Sequence, residues 1–401
     1  MIRRNVPPDM RQAAAPRARI GLGYIIPMPS PQHVDVNAGD ALVLAGTMKG
    51  AFILRSDASR ARWDVAGPYF PGRAIYALAL DSRNGRRRLW AAVNSPHWGS
   101  YLSSSDDFGR TWTESEAYAI KFPEDTGLAL KQIWQLVPGA ADQPDTLYCG
   151  VEPAALFRSD DAGATWALVR GLHDHPHRPQ WMPGGGGLCL HTILPDPGDA
   201  RYVHVAISSG GHYRTDDGGA TWQARNAGVR AQFLPPENRY PEFGQCVHKL
   251  ASHPSNPRRL FLQNHWGLYR TDDRGDTWLD IANGVPSDFG FAMAVDPHDP
   301  NPVYIVPIES DEFRCTPEGK LRVYRTTNAG ASWAPLTNGL PQEKAFETIL
   351  RDGLTTDRLN PTGLYFGTRS GKLFGSKDAG ESWTAILEAL PPIVCVKTAT
   401  V

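Results

Sequence analysis

The fold of this chain is decided by the nine-residue stretch RTDDGGATW at 214–222, which recurs along the sequence and is called the repeated turn. Five further copies keep its pattern and one is degenerate: SSDDFGRTW (104–112), RSDDAGATW (158–166), RTDDRGDTW (270–278), RTTNAGASW (325–333), GSKDAGESW (375–383) and, degenerate, RSDASRARW (55–63). The tryptophans that end the copies lie 49 to 56 residues apart. A period of this length indicates a radial or stacked array of one supersecondary unit.

Each period predicts four short strands. An alternating apolar run such as IYALALD (75–81) leads into a polar turn and then a second apolar run such as LWAAV (89–93). A third strand ends at the repeated turn and a fourth begins at its tryptophan, which is typical of a propeller blade. We therefore predict an all-β fold: a seven-bladed β-propeller of four-stranded antiparallel blades over 41–401, with 1–40 as an N-terminal extension.

The two ends of the propeller predict how its ring closes. The first blade lacks an innermost strand before ALVLAGT (41–47), and the chain ends in an unpaired apolar run, IVCVKTATV (393–401). We predict that the C-terminal strand completes blade 1, because closure removes the open sheet edges that favour aggregation.

Composition excludes several classes of function. The 401 residues exceed what one hydrophobic core supports, and 41 basic against 42 acidic side chains give a net charge of −1, without the positive field that nucleic-acid binding needs. The five cysteines form no C-x-x-C pair, so neither a disulfide framework nor a zinc knuckle is indicated. No apolar run is long enough for a membrane span, and we expect a cytoplasmic protein without nucleic-acid or membrane partners.

The repeated turn resembles the Asp-box, or bacterial neuraminidase repeat, of the sialidase-like (WD40-YVTN-BNR-like) β-propellers. Members of that family include reducing-end-specific xyloglucan hydrolases, sortilin-type receptors and photosystem assembly factors. The resemblance covers 41–401 and implies that the repeated turns are structural and that ligands bind on the opposite face of the disc, which we call the upper face. It says less about activity, since one fold hosts many functions.

The upper face is predicted to carry a ring of polar residues. Aligning the blades by their repeated turns places seven non-identical side chains at the end of the second strand: Lys49, Asn94, Glu152, Ser208, Asn264, Glu309 and Arg369. Acids, bases and neutral hydrogen-bonding groups around one axis suit an asymmetric, small polar ligand such as a carbohydrate. The alternative is that these seven residues are simply a solvent-exposed rim, which would also be polar.

Histidines concentrate on the same face. His191 and His248 occupy one level of neighbouring innermost strands, with His212 and His265 in adjoining loops. Together they could assist catalysis, or His191, His248 and His265 could bind a divalent metal (Zn, Fe or Cu) with an open position. Hydrogen-bonding histidines that hold a substrate are the alternative.

Two loops are expected to wall this pocket. GLHDHPHRPQWMPGGGG (171–187) ends in four glycines and suits a lid, and 226–246 adds aromatic and charged residues. His97, Trp98 and Trp266 lie in other upper loops, where tryptophan suits stacking on a sugar ring.

The carboxylates and arginines decide the type of chemistry. The sialidase pattern requires three arginines, but only Arg73 and Arg369 offer approximate matches, so exo-sialidase activity is doubtful. Glycosidases use two carboxyl groups, and Glu152 in GVEPAALF is the best acid/base candidate, with Glu309 or Asp311 as partner. Lys131, Arg73 or Arg369 could hold an anionic group.

Three functions therefore remain, and we favour the first. It is a hydrolase of glycosidase type that acts on a small polar substrate through Glu152, His191, His212 and His248. The second is a metal-dependent enzyme built on His191, His248 and His265. The third is a non-catalytic propeller that binds a protein partner.

Overall fold

A computed structural model describes residues 32–95, 99–113 and 120–401, and these described residues form one compact unit. The chain folds into seven antiparallel sheets arranged as the blades of a propeller, which confirms the predicted fold class. The first strands of successive blades are neighbours around the ring, so they line its axis. Within the described residues, no helix is long and apolar enough to cross a membrane.

Each blade runs from an innermost strand outward. Blade 1 has Ile393–Thr400, Ala41–Thr47, Gly50–Ser56 and Asp64–Tyr69; blade 2 has Ala74–Asp81, Arg88–Ser95 and Gly99–Ser105 among its described residues; blade 3 has Gln132–Pro138, Leu147–Glu152, Ala155–Ser159 and Ala167–Leu168; blade 4 has Leu190–Pro195, Val203–Ile207, Gly211–Thr215 and Gln223–Ala224. Blade 5 has Val247–His253, Asn256–Asn264, Leu268–Thr271 and Leu279–Asp280; blade 6 has Gly290–Val295, Val303–Pro307, Val323–Thr326 and Ala334–Leu336; blade 7 has Leu354–Thr356, Leu364–Gly367, Leu373–Ser376 and Thr384–Leu387.

Helical structure is confined to short connections. One α-helical turn spans Arg170–His173, and 3₁₀ turns span Arg83–Gly85, Glu124–Thr126, Arg178–Gln180, Pro236–Asn238 and Pro317–Gly319. The apolar core lies between blades, where side chains of one sheet pack on those of the next, as Leu156 of blade 3 does with Val205 and Tyr213 of blade 4.

The ring closes as the sequence predicts. Ile393–Thr400 pairs antiparallel with Ala41–Thr47, from Ala41 opposite Thr400 to Thr47 opposite Ile393. The last residue continues this contact, since the Val401 amide donates to the Asp40 carbonyl at 3.1 Å. The sheet of blade 1 is therefore built from both ends of the propeller.

Six of the repeated turns, all but the degenerate copy at 55–63, share one hydrogen-bond pattern, shown by the copy at 214–222. Thr215 Oγ1 donates to Asp217 Oδ1 at 2.8 Å, and Thr221 donates to the same carboxylate through its amide and its hydroxyl, at 2.9 and 2.6 Å. The Gly219 amide donates back to Thr215 Oγ1 at 2.9 Å. Its φ of +102° lies in the left-handed region that favours glycine.

Two of the closing tryptophans join neighbouring blades. Trp278 Nε1 donates to the Arg225 carbonyl of the preceding blade at 2.8 Å, and Trp333 Nε1 donates to the Ile281 carbonyl in the same way at 2.8 Å. Trp278 is buried, so its contact removes a large aromatic surface from water.

Replacement of Asp217 by alanine tests the role of the repeated turn. Hydrogen bonds from Thr221 lower the pKa of Asp217 to about 2, so the carboxylate stabilises the fold above pH ~4 and loses this effect as the pH falls toward 2. We expect Asp217→Ala to lower the free energy of unfolding by about 1–2 kcal/mol at pH 7, with a smaller difference at pH 3. Urea denaturation measures this, with Asp216→Ala as the exposed neighbouring control; equal effects of both variants would contradict the role.

A buried ion cluster braces the ring from inside. Asp352 Oδ1 accepts from Lys249 Nζ of blade 5 at 2.7 Å and from Lys397 Nζ of the C-terminal strand at 2.8 Å. Burial opposes ionisation of Asp352, yet the two ammonium groups hold its pKa well below the usual range. The Val396 amide also donates to the Asp352 carbonyl at 2.7 Å, so this residue links blade 7 to the closing strand.

Asp352→Asn is expected to destabilise the propeller by about 3–5 kcal/mol, because it leaves the buried ammonium group of Lys249 and the half-buried one of Lys397 without a counter-charge. The cost should be smaller in a Lys397→Met background, where one of the cations is already absent. Chemical denaturation of the wild-type protein, the two single variants and the double variant measures the coupling between Asp352 and Lys397. Strictly additive changes in the free energy of unfolding would show that the cluster does not act as a unit.

Candidate functional site

A cavity of about 490 Å³ opens on the upper face. Ser208 lies just after the second strand of blade 4, and His265 and Trp266 just after that of blade 5, at the strand ends opposite the repeated turns. Both predicted wall loops contribute, through residues 180 and 182–186 of one and Phe233 and Gly244 of the other. The volume is within the range of small-molecule sites, roughly 300–1,000 Å³.

The floor of the cavity is formed by His248 between two phenylalanines. Its ring centroid lies 4.3 Å from that of Phe291 and 5.2 Å from that of Phe289. Nδ1 lies 2.7 Å from the Gly290 carbonyl, which can only accept, so Nδ1 carries the proton. Burial lowers the pKa of His248 well below its ordinary value, and the ring is neutral with Nε2 unprotonated.

Nε2 of His248 faces a thiol. It lies 3.6 Å from Cys246 Sγ, two residues earlier in the chain. His265 packs beside this pair, with its ring centroid 5.4 Å from that of His248. One potential ligand atom from each of Cys246, His248 and His265 lies within 4.8 Å of the other two, and we call these three residues the Cys-His-His cluster.

The charged groups of the cavity stand at its rim. Asp311 Oδ2 lies 3.4 Å from His265 Nε2, and the Asp311 carbonyl accepts from Arg314 Nε at 3.0 Å. The guanidinium groups of Arg314 and Arg351 lie over the ring of Phe291, at 5.4 and 5.2 Å from its centroid. Asp311 is the only carboxylate among the described residues that line the cavity.

An aromatic wall completes the cavity. The ring of Trp266 lies 4.2 Å from that of His265 and 5.1 Å from that of Phe233, measured between centroids. Phe233 and Met182 are largely exposed, which is unusual for such large apolar side chains.

The structure brings only some of the predicted site residues to this cavity. Ser208, His248, His265 and Trp266 line it, together with Asp311. The other predicted residues that are described do not line it: Lys49, Arg73, Asn94, Lys131, Glu152, His191, His212, Asn264, Glu309 and Arg369. His97 and Trp98 lie outside the described residues.

Glu152, the acid/base candidate of the sequence analysis, is held by two polar neighbours. Lys131 Nζ lies 2.5 Å from its Oε1, and Trp134 Nε1 donates to its Oε2 at 3.1 Å. Gly187 packs against this carboxylate, at the end of the four consecutive glycines at 184–187, called the glycine segment, whose other members line the cavity. Glu152 therefore forms an ion pair with Lys131 outside the cavity.

His191 is fully buried and its ring is saturated with partners. Nε2 lies 2.9 Å from the Val247 carbonyl of the next blade, and Nδ1 lies 3.0 Å from Thr192 Oγ1. Burial lowers its pKa well below the ordinary value. Neither nitrogen is free for a metal, so the His191, His248 and His265 set is not assembled.

His212 does not line the cavity, because its side chain packs against the next blade. It belongs to the third strand of blade 4, stacks on His204 and contacts Trp278 and Gly275 of the next repeated turn. Burial lowers its pKa to about 3. Sequence analysis placed it in an upper loop, whereas it lies within the strand Gly211–Thr215.

The polar ring of strand ends does not converge on one ligand site. Asn94 Oδ1 accepts from the amide of Ile133 in the first strand of blade 3 at 3.3 Å, and Asn264 Nδ2 donates to the Arg230 carbonyl of the 226–246 loop at 3.1 Å, so both side-chain amides bond to neighbouring backbone. Lys49 and Glu309 are exposed, and the Arg369 amide donates to the Thr348 carbonyl. Ser208 is the member of the ring that lines the cavity.

The first half of the predicted lid is packed against the blades. His177 stacks on Phe243 with 4.0 Å between ring centroids, and Trp181 is buried with its Nε1 donating to Tyr213 Oη at 2.9 Å. The histidines of this loop hold it in place, and they do not gather around a common point in the cavity.

Sequence reasoning missed Cys246, Arg314 and Arg351. A signal existed for the first, because alternation in the Cys-Val-His sequence at 246–248 places residues two apart on one side of a strand. Arg314 lies between the second and third strands of blade 6, and Arg351 lies three residues before the first strand of blade 7, and neither position was among those compared between the repeats.

The glycine segment allows a test of its own packing. Gly187 has a φ of +87°, and a Cβ there would lie 2.5 Å from Glu152 Oε1, whereas at Gly185 the nearest atom, Arg314 Nη2, is 3.8 Å away. We expect Gly187→Ala to destabilise the protein by about 1–3 kcal/mol, because the residue is strained and displaces the Glu152–Lys131 pair. Gly185→Ala is the matched control in urea denaturation, and equal stability of the two variants would refute the packing argument.

Comparison with known proteins gives distant similarities. A probable oligoxyloglucan-reducing end-specific xyloglucanase of Neosartorya fischeri is 24% identical over 274 residues, which covers 59% of this chain and 31% of that protein. The chain spans about a quarter to a third of the length of the curated relatives it matches. No family model matches.

Two solved structures share the fold. The GH74 xyloglucanase of Xanthomonas campestris superposes with a TM-score of 0.54 at 17% identity, over 88% of this chain and 55% of that one. YCF48 from Cyanidioschyzon merolae gives 0.50 at 13% identity, over 79% and 87%. At these identities the likeness establishes a β-propeller and nothing finer about the site.

Proposed function

We propose that the upper-face cavity binds a carbohydrate chain and that the protein is a hydrolase of glycosidase type. The observation that carries this proposal is the combination, in one cavity, of an aromatic wall at Trp266 with a half-exposed carboxylate at Asp311. The curated relatives named as xyloglucanases support the choice of a plant-type oligosaccharide as the first substrate to try.

Trp266 is the expected stacking surface for a sugar ring. The indole stands between Phe233 and His265, so its orientation is set by neighbours on both sides. Sugars present flat apolar faces and polar edges, and a pocket with aromatic walls and few polar groups recognises both. The rim groups Asp311, Arg314 and Arg351 would bond the hydroxyl edge.

Asp311 is the expected acid/base group. Glycosidases commonly use a second carboxyl group, and none is present among the described residues that line the cavity, so we assign Asp311 the acid/base role alone. Asp311 lies beside His265, whose pKa is lowered mainly by burial, so at neutral pH the imidazole is uncharged and can orient the carboxyl group through Nε2. This assignment moves the acid/base role from Glu152 to Asp311, which sequence analysis named as a partner carboxylate. The Lys131 and Trp134 contacts of Glu152 favour a structural role for that residue.

The finer relation to sialidase-like propellers is also a proposal. The hydrogen bonding of the repeated turns supports their identification as Asp-boxes with a structural role. Arg73 and Arg369 do not line the cavity, and the two arginines that do, Arg314 and Arg351, stack on Phe291. A three-arginine clamp for a sialic acid carboxylate is not present among the described lining residues, so we do not propose exo-sialidase activity.

Titration calorimetry and a reducing-sugar assay with xyloglucan oligosaccharides test the proposal. We expect Trp266→Ala to raise the Kd about tenfold, because the variant loses one aromatic stacking contact with the sugar. Asp311→Asn should retain binding but lower turnover by about 10²–10⁴-fold, as removal of an acid/base group does.

Phe313→Ala is the control, because Phe313 is an exposed aromatic residue on the same loop as Asp311 that does not line the cavity. Binding that Trp266→Ala leaves intact would place the ligand elsewhere. Absence of both binding and product with the wild-type protein would refute the carbohydrate proposal.

A protein-binding propeller is the second candidate. Its support is the exposure of Met182 and Phe233 at the cavity mouth, where large apolar groups in water are typical of a docking surface. This function predicts no turnover of any oligosaccharide and no effect of Asp311→Asn on stability or on partner binding.

A further inference from the structure

We propose that the Cys-His-His cluster is a Zn²⁺ site, in which Cys246, His248 and His265 supply three ligands and the fourth position opens into the cavity. The proposal does not depend on the carbohydrate hypothesis, because it concerns metal binding by the residues of the cavity floor and holds for any ligand of the cavity.

The ligand atoms are already close to the geometry that zinc requires. In a tetrahedral site with bonds of about 2.0–2.3 Å, neighbouring ligand atoms are roughly 3.3–3.8 Å apart. Cys246 Sγ and His248 Nε2 are 3.6 Å apart, and all three atoms lie within 4.8 Å of one another. A shift of about 1 Å by His265 would complete the set.

The orientation of the His248 ring favours coordination. Histidine ligands commonly donate their second ring N–H to a backbone carbonyl, which fixes the tautomer and turns the lone pair toward the metal. Nδ1 of His248 lies 2.7 Å from the Gly290 carbonyl, so Nε2 is the nitrogen that faces Cys246 Sγ.

Asp311 completes the surroundings of the cluster. Its Oδ2 lies 3.4 Å from His265 Nε2, so it can orient that imidazole as a carboxylate partner. On binding, the Cys246 thiol proton is released to solvent and the thiolate bonds to the ion. One thiolate, two imidazoles and one open position form a set that suits Zn²⁺, and a water on the ion would lie on the cavity side.

The nearest alternative explanation is ordinary packing. Cys246 Sγ also lies 3.8 Å from Ser209 Oγ, and His248 packs on Phe291, so the residues could simply fill the cavity floor. Packing predicts no selective affinity for a metal, whereas a built site predicts stoichiometric binding that depends on the thiol.

Metal analysis of the full chain, purified without a histidine tag and under a thiol-free reductant, tests the site. We expect one Zn²⁺ per chain by mass spectrometry after dialysis against micromolar ZnCl₂. Replacement by Co²⁺ should give a near-ultraviolet thiolate charge-transfer band together with the visible bands of a four-coordinate ion.

Two variants and one matched control decide the assignment. Cys246→Ser should abolish the charge-transfer band, and His265→Gln should weaken Zn²⁺ binding at least tenfold in competition with a chromophoric chelator. Cys315→Ser, which changes another half-buried cysteine of the described chain, should leave both unchanged. Circular dichroism and thermal melting verify that each variant is folded.

The proposal is overturned if the wild-type protein takes up less than about 0.1 Zn²⁺ per chain at saturating zinc, or if Cys246→Ser keeps wild-type affinity. These measurements use the metal ion alone, without any oligosaccharide. A zinc-free protein that still cleaves xyloglucan oligosaccharides would therefore refute the metal site and leave the proposed function intact.

Discussion

The hydrogen-bonded ladder between Ala41–Thr47 and Ile393–Thr400 is the contact on which the rest of the propeller depends. Each other blade is a local hairpin array, but blade 1 exists only when strands from the two ends of the propeller meet. Asp352 reinforces the joint by pairing with Lys249 and Lys397 inside the ring. Because a ring transmits strain around its circumference, the relative positions of the upper loops also rest on this closure.

The fold could be predicted because its determinants are local. In the repeated turn, Asp217 bonds residues no more than four positions away, so a nine-residue pattern contains the whole interaction. The hydrogen-bonding residues of each copy recur, and counting tryptophans therefore counts blades. The unpaired apolar run at the C-terminus then identified the missing strand.

The site was harder to predict because it depends on contacts between blades. His191 and His248 hold matching positions in neighbouring strands, yet the first directs Nε2 to the Val247 carbonyl and the second faces the cavity. Arg351 reaches the cavity from just before the first strand of blade 7. Alignment of repeats identifies equivalent backbone positions, and it does not show which side chains a neighbouring blade has already satisfied.

Ring closure also sets an order of events during synthesis. Until Ile393–Thr400 is made, Ala41–Thr47 has no partner on its inner edge, although the blades that follow it in the chain can already form. An unpaired strand edge is a template for another chain, and pairing over such a long sequence separation is slow. The interval between folding of the middle blades and arrival of Ile393–Thr400 is therefore when this protein is most exposed to association with copies of itself.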